Sequence, residues 1–283
     1  MLYVAAAMSL GKVRIVLHRP ASAENLGAAA RAMMNFGLSR LSVVRPPAWA
    51  GAPRGGGDGT AQEDVIRRAA RLARHATVLL DGAEFFQDLR GALGPATWVC
   101  GTSSRVIEGR PRLTPRQLGV EVARRAAGEV VVVFGEEQRG LSDAELELCQ
   151  AVCTIPTSPA YDSMNLAQSV AVVCYELACG AGAGHDGAPG AGLVAQAGPG
   201  LADAAALDGA AGVAEPARHA TLEALWGRLT VLLADSGYLN PQNPEHILSD
   251  WRRFLARAEP TQREVELLLA AIRALERRIE PPR

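Results

Sequence analysis

The chain has 283 residues, 48% of them hydrophobic, and a formal net charge of −1. That length allows one large domain or two smaller ones with cores of useful size. No run of about eighteen apolar residues occurs, which excludes a long apolar membrane-spanning helix. The near-neutral balance argues against a generally basic nucleic-acid-binding surface, so any such surface must be local.

The N-terminus "MLYVAAAMSLGK" lacks a basic leader region, and its apolar stretch is short for a secretion signal; Met8 is an alternative start. "VRIVL" (13–17) is the first strand candidate. "SAENLGAAARAMMNFG" (22–37) then reads as a helix, with Leu26, Ala29, Ala30, Met33 and Phe36 at helical spacing. Arg31 projects from the other side, one turn after Gly27 and one turn before Asn35. A solvated helix face is the ordinary reading of Arg31. An arginine left uncrowded for a ligand is the other.

"RLSVV" (40–44) is the second strand candidate, followed by a helix over roughly 61–75 with Ala69, Leu72 and Ala73 inward. That helix carries Arg67, Arg68, Arg71 and Arg74. Lys12 is the only lysine, so the excess of arginine fits a GC-rich genome as well as a functional patch. Further strand candidates are "ATVLL" (76–80), "TWVC" (97–100), "EVVVVFG" (129–135) and "AVCTI" (151–155). One intervening helix starts with Thr114 as cap and Pro115 in the first turn, and another runs over about 163–178. Runs such as "VVVVF" lack alternation and predict strands buried on both faces. The fold class is therefore α/β, a parallel sheet with helices on both faces.

The five cysteines, Cys100, Cys149, Cys153, Cys174 and Cys179, form no C-x-x-C pair, and no histidine stands at zinc-ligand spacing. They read as small hydrophobes in a reduced, cytoplasmic compartment, with no metal. From 180 to 219 the chain is mostly Gly and Ala and reads as a flexible linker, with a transient helix around Leu201–Leu207. Gly182, Gly184 and Gly187 fit G-x-G-x-x-G there, but no strand precedes them, so no dinucleotide site is expected.

Residues 220–283 read as three helices. Thr221 opens the first, with Leu222, Leu225, Trp226, Leu229, Leu232 and Leu233 inside and Gly237 as stop. Asn243-Pro244 opens the second, with Ile247, Leu248, Trp251, Phe254 and Leu255 inside. "TQRE" (261–264) is a capping box for the third, with Val265, Leu268, Leu269, Ile272 and Leu275 inside. Arg252, Arg253 and Arg257 form a basic cluster, either a solvated face or a contact for RNA phosphates.

Chemistry concentrates where strands end. "VVVVFGEEQRGLS" (130–142), "TIPTSPAYDSMNLAQSV" (154–170) and "CGTSSR" (100–105) all pass from a strand into a small or polar loop. Each alone fits a turn or an N-cap. Together with the opening helix they imply one shared pocket at the carboxyl edge of the sheet. No Walker loop, zinc set or Ser-His-Asp order is present.

Jointly, "ENLGAAARAMMNFGL" (24–38), "GTSSR" (101–105), "VFGEEQRGLS" (133–142) and "DSMNLAQSVAVVCYE" (162–176) resemble the SPOUT class of RNA methyltransferases. Within it, they are most similar to the TrmH-like branch and its TrmJ-type tRNA 2′-O-methyltransferases. The resemblance spans about 13–178, and the C-terminal helices resemble the TrmJ-type extension. Met164 stands where that family usually has leucine, and the Gly/Ala linker is longer than the family's.

The resemblance implies a methyltransferase domain over 1–179 ending in a trefoil knot, the linker, and a helical tRNA-binding extension over 220–283. It implies a homodimer and the cofactor S-adenosyl-L-methionine. Thr102, Ser103 and Ser104 would line the adenosine side, Gly135 and Gly140 would give backbone room, and Ile155 would offer main-chain contacts to the adenine. Asp162, Ser163 and Met164 would close the pocket. Arg31 and Asn25 match the family's first-motif pair, with Asn165 and Ser163 ordering the loop and Glu137 structural within it. Arg31 would orient the target phosphate and stabilise the developing alkoxide, because a guanidinium holds its proton too tightly to be the base. Small Gly27, Ala28 and Ala32 would admit RNA or the partner subunit. The implied reaction is tRNA ribose methylation in the anticodon loop at position 32. Ribosomal RNA, another tRNA position, or a non-catalytic RNA-binding protein on the same fold are the alternatives.

Overall fold

A computed structural model describes residues 10–45, 59–125, 127–158, 160, 163–182, 215–239 and 244–279. Seven strands form one sheet: β1 (Val13–His18), β2 (Arg40–Val44), β3 (Glu84–Phe86), β4 (Trp98–Thr102), β5 (Arg112–Leu113), β6 (Val130–Phe134) and β7 (Ala151–Cys153). Their order is β3-β2-β1-β6-β4-β7-β5, and every pairing is parallel. β1 and β6 are buried along their whole length, as expected of central strands without polar alternation.

Ten α-helices are present among the described residues: α1 (Ala23–Asn35), α2 (Gly59–Ala73), α3 (Thr77–Asp81), α4 (Leu89–Leu93), α5 (Pro115–Arg124), α6 (Asp143–Leu146), α7 (Leu166–Gly180), α8 (His219–Asp235), α9 (Pro244–Ala258) and α10 (Gln262–Ile279). One sheet face gives Ile15, Leu17, Val132 and Phe134 to a core shared with α1, α5 and α7. The other gives Val16, Val99, Val131 and Val133 to a core with α4 and α6. Local chemistry fixes the helix starts. Ser22 caps α1 by accepting from the Asn25 N–H at 3.1 Å, and Thr114 and Ser142 form capping boxes on α5 and α6.

A charge lies inside this sheet. Arg14, the second residue of β1 and only 2% exposed, donates to Glu129 at 2.6 Å, to the Ser42 hydroxyl at 2.9 Å and to the Ala92 carbonyl at 2.6 Å. Each hydrogen bond offsets part of the desolvation of a buried guanidinium.

Several sequence expectations need correction. "ATVLL" is not a strand: after a 3-10 turn at Arg74–Ala76 it forms α3, where consecutive Leu79 and Leu80 are buried while Val78 is exposed. The third strand is instead Glu84–Phe86, and the two-residue β5 had no sequence signal. Leu72 faces solvent, whereas Ala69 and Ala73 pack inward as expected. α7 begins at Leu166 with Asn165 as cap, three residues after the expected start.

Of the linker, 183–214 lie outside the described residues, as do the expected Leu201–Leu207 helix, Met8 and Asn243. The chain is anchored again by the Ala217 N–H to the Pro260 carbonyl at 3.1 Å and the His219 N–H to the Ala96 carbonyl at 2.6 Å. The latter bond starts α8, so Thr221 lies inside the helix rather than capping it. Gly237, at φ 70°, stops α8, and the Thr261–Glu264 box opens α10. Leu225 of α8 and Val265, Leu269 and Ile272 of α10 form a core, with Leu255 of α9 packed against it. Phe254, Leu268 and Leu275, expected inside, are about half exposed. α8 and α9 touch the sheet domain, through the Ala220 N–H to the Gly94 carbonyl at 3.2 Å and the Arg252 guanidinium to the Glu147 carbonyl at 3.2 Å.

Candidate active site

The carboxyl ends of β4, β6 and β7 open into a cavity of about 300 Å³. Its wall includes Thr102, Ser103, Ser104, Gly135, Gly140, Ile155, Ser163 and Met164, so three separate sequence segments meet there. Asp162, also expected at this pocket, lies outside the described residues. The strand-end rule for parallel sheets explains the place: side chains that leave the sheet are replaced there by loops.

Gly135 sets the floor. A Cβ on it would stand 2.3 Å from the Gly140 carbonyl carbon and 2.5 Å from the Leu141 nitrogen. The loop from 135 to 140 therefore folds back on itself, and Gly140 completes the turn at φ 65°. The Thr102 hydroxyl donates to the Val133 carbonyl at 3.0 Å, and Ser103 accepts from the Arg105 N–H at 3.1 Å. Arg105 on the rim is tied to Asp143 at 2.7 Å and to the Leu141 carbonyl.

One chain of hydrogen bonds joins the three motifs. Glu137 accepts from the Asn25 side-chain amide at 2.6 Å and from the Ala21 N–H at 2.7 Å. Asn25 in turn accepts from the Asn165 amide at 3.3 Å. Asn165 also caps α7, accepting from the Ala167 N–H at 2.9 Å. Glu137 is thus the cross-link between the start of α1 and the 135–140 loop, which is the structural part expected of it. The signal for it was its place between the two glycines.

Arg31 is exposed on α1, with no side-chain hydrogen bond or ion pair among the described residues, and it does not line the cavity. Two of the small residues beside it, Gly27 and Ala32, have a different use from the expected one. A Cβ on Gly27 would lie 2.0 Å from the Ala69 carbonyl oxygen, so Gly27 lets α2 pack directly on α1 and admits neither RNA nor a second subunit. Ala32 is buried in the same core.

His18 at the end of β1 and Glu145 on α6 are hydrogen-bonded, 2.6 Å apart. Burial lowers the His18 pKa, against the opposing pull of Glu145. Burial would raise the Glu145 carboxyl, but the Ser142 N–H and His18 outweigh it and the net shift is downward. Cys153 borders the cavity, with its thiol pushed up to about 12 by burial, so it offers no thiolate near neutrality. Among the described residues no cluster of His, Cys, Asp or Glu could hold a metal, and no helix is long and apolar enough to cross a membrane.

The C-terminal arginines do not present the expected face. Arg252 is 12% exposed and bonds Glu223 at 2.6 Å, with its guanidinium 5.1 Å from the Trp226 ring centre. Arg253 packs on Gly109. Both belong to the seam between α9 and the sheet domain, and only Arg257 of the three is exposed.

The model of the SpoU rRNA Methylase family matches residues 12–175, and that of the tRNA methyltransferase TrmJ, C-terminal domain, matches 220–283. The chain is 33% identical over 264 residues to the tRNA (cytidine/uridine/adenosine-2′-O-)-methyltransferase TrmJ of Pseudomonas aeruginosa, covering 92% of this chain and 91% of that one. It is 30% identical to the tRNA (cytidine/uridine-2′-O-)-methyltransferase TrmJ of Cronobacter sakazakii, over 94% and 97%. Among solved structures it is similar to TrmJ from Z. mobilis ZM4, with a TM-score of 0.68, 28% identity and coverage of 93% and 98%.

Proposed function

The chain belongs to the SpoU rRNA Methylase family, and from that premise we infer that it is an S-adenosyl-L-methionine-dependent tRNA 2′-O-methyltransferase. The observation that carries the reading is the Glu137–Asn25–Asn165 chain at the rim of the strand-end cavity, which unites the three motifs on one site. The cavity fits the cofactor: a Cβ-free floor at Gly135, hydroxyls at Thr102, Ser103 and Ser104, and the apolar flanks of Ile155 and Met164. Thr102 to Ser104 would take the adenosine side, Ile155 the adenine edge, and Ser163 and Met164 the mouth, with Asp162 closing it. When bound, S-adenosyl-L-methionine supplies an electrophilic methyl group on a sulfonium centre.

The chain's own residues supply placement. The acceptor is a ribose 2′-hydroxyl, a weak nucleophile until its proton leaves. Arg31 holds the adjoining phosphate through its fork of donors and stabilises the alkoxide as it forms. A phosphate oxygen or water takes the proton, because guanidinium keeps its own. Asn25 and Asn165 hold the loop in the reactive geometry, and Ser163 orders its end.

Arg31 is off its own chain's cavity, which favours action across a homodimer. Exposed Met34, Val120 and Tyr175 lie on α1, α5 and α7, helices that pack on one another, and give such a dimer an apolar face. A trefoil knot at the β6–β7–α7 end completes the fold in this reading, and position 32 of the anticodon loop is the target. The test is methyl transfer to tRNA in vitro with ribose-methylation mapping in a deletion strain. Loss of one anticodon-loop methyl group is expected, and an unchanged map in tRNA and rRNA would refute the reading.

A further inference from the structure

Among the described residues, four side-chain-bearing residues have left-handed backbone, and three are arginines: Arg19 (φ 54°), Arg45 (φ 46°) and Arg74 (φ 50°). Arg19 and Arg45 are equivalent in the fold. Arg19 follows β1 and Arg45 follows β2, and each precedes a proline in the sequence, Pro20 and Pro46. A residue before proline is pushed towards extended backbone, and a side chain disfavours the left-handed region. Both arginines therefore hold conformations that their sequence opposes. Such strain persists where surrounding bonds impose it, and it clusters at functional sites.

The bonds that impose it are clear. The Arg19 N–H donates to the Val44 carbonyl at 2.8 Å, and the Arg45 N–H donates to the Phe86 carbonyl at 2.9 Å. The parallel register pairs His18 with Val44, so the two arginines leave the sheet side by side. Both are exposed, and both act on the same His18 ring, whose pKa each of them lowers. Neither has an ion pair among the described residues; the Arg45 Nε donates to the Gln87 carbonyl at 2.7 Å, which orients its terminal nitrogens. Two carboxylates near this corner are committed elsewhere, Glu145 to His18 and Ser142, Glu137 to Ala21 and Asn25.

β1 lies beside β6, with Leu17 paired to Phe134, and Gly135 then floors the cavity. The two arginines thus stand on the same edge of the sheet as the cavity, Arg19 after the strand next to it and Arg45 after the strand beyond. Two adjacent guanidiniums with no ion pair among the described residues repel each other, an arrangement relieved by an anion between them. We propose that Arg19 and Arg45 form a clamp for a backbone phosphate of the RNA substrate, which sets the strand's approach to the cavity. The assignment rests on the tRNA reading above and names where the RNA backbone lies.

The test compares wild type with Arg19→Gln/Arg45→Gln and Arg19→Lys/Arg45→Lys double variants, using the intact chain and unmodified tRNA. Each phosphate contact removed should make the slope of log affinity against log salt shallower by about 0.7 to 0.9. The glutamine pair is expected to lose that once, for the single phosphate the two arginines share, with tRNA affinity down at least tenfold at low salt. The lysine pair keeps the slope, and affinity for S-adenosyl-L-homocysteine stays at the wild-type value in both. Arg19→Gly separates strain from charge: it should melt no lower than wild type, because glycine tolerates φ 54°, yet bind tRNA more weakly. A glutamine pair with the wild-type slope overturns the clamp alone. A wild-type chain that binds no tRNA overturns the clamp together with the functional reading.

Discussion

Action of Arg31 across a homodimer can be decided with two chains that are inactive for different reasons. Arg31→Ala keeps the cavity and lacks the acceptor-side guanidinium. Gly135→Ala keeps Arg31 and damages the cavity, because the new Cβ would stand 2.3 Å from the Gly140 carbonyl carbon. Ordinary carbon contacts begin near 3.5 Å, so the loop must yield by about 1 Å, and backbone crossing backbone has no side chain to swing away. A loss of cofactor affinity of tenfold or more is expected, at least about 1.4 kcal/mol, so methyl transfer is assayed with the cofactor well below the variant's Kd. Co-expressed with two different tags, the chains give a mixed dimer that tandem purification isolates. If each cavity uses its partner's arginine, one of the two sites is whole and the mixed dimer keeps about half of wild-type methyl transfer to tRNA. If each cavity uses its own, both sites are broken and activity stays at the level of the parent variants. That second result would refute transfer across the dimer, and a chain that is monomeric at assay concentration would refute the dimer itself.

Arg31→Lys keeps the charge but loses the fork, and kcat/KM for tRNA should fall about 10- to 100-fold; near-normal turnover would sink the geometric role. Glu137→Gln sets an amide donor against the Asn25 amide or the Ala21 N–H, and should cost about tenfold in kcat/KM with a lowered melting temperature; unchanged values of both would show that the motif cross-link is idle. His219 is buried in the seam between the domains, without a partner for either ring nitrogen, and burial lowers its pKa from 6.5 to about 4. The unfolded chain therefore binds the extra proton first, so stability present above pH 6.5 is lost as pH falls towards 4, at most about 3 kcal/mol. Melts of His219→Leu should be flatter than wild type across that window, and parallel curves would exclude His219 as the cause.

What could be read in the sequence was whatever depends on neighbours along the chain. "VVVVF" announced a central strand because burial on both faces leaves no polar alternation, and Thr114, Ser142 and the "TQRE" box announced helix starts because a cap spans only three residues. "ATVLL" failed for the converse reason. Five apolar residues satisfy a strand or a turn and a half of helix equally, and the choice was made by packing of Leu79 and Leu80 under α1. Three of the four strand-end and motif segments could be assigned to one pocket because the parallel α/β rule places loops together without specifying a contact. The contacts themselves were out of reach. Arg14 reads as a polar interruption of β1 until Glu129, Ser42 and Ala92 are found around it from 28 to 115 residues away. Arg252 and Arg253 read as a basic patch until α9 is seen to press them against Glu223 and Gly109. In both cases a charge was misjudged because its partner came from a distant part of the chain. The same reasoning gives weight to Arg19 and Arg45. In a fold that pairs its interior and seam arginines with glutamates, two adjacent exposed arginines with no ion pair among the described residues, in backbone conformations that cost stability, are the ones whose partner should be sought outside the chain.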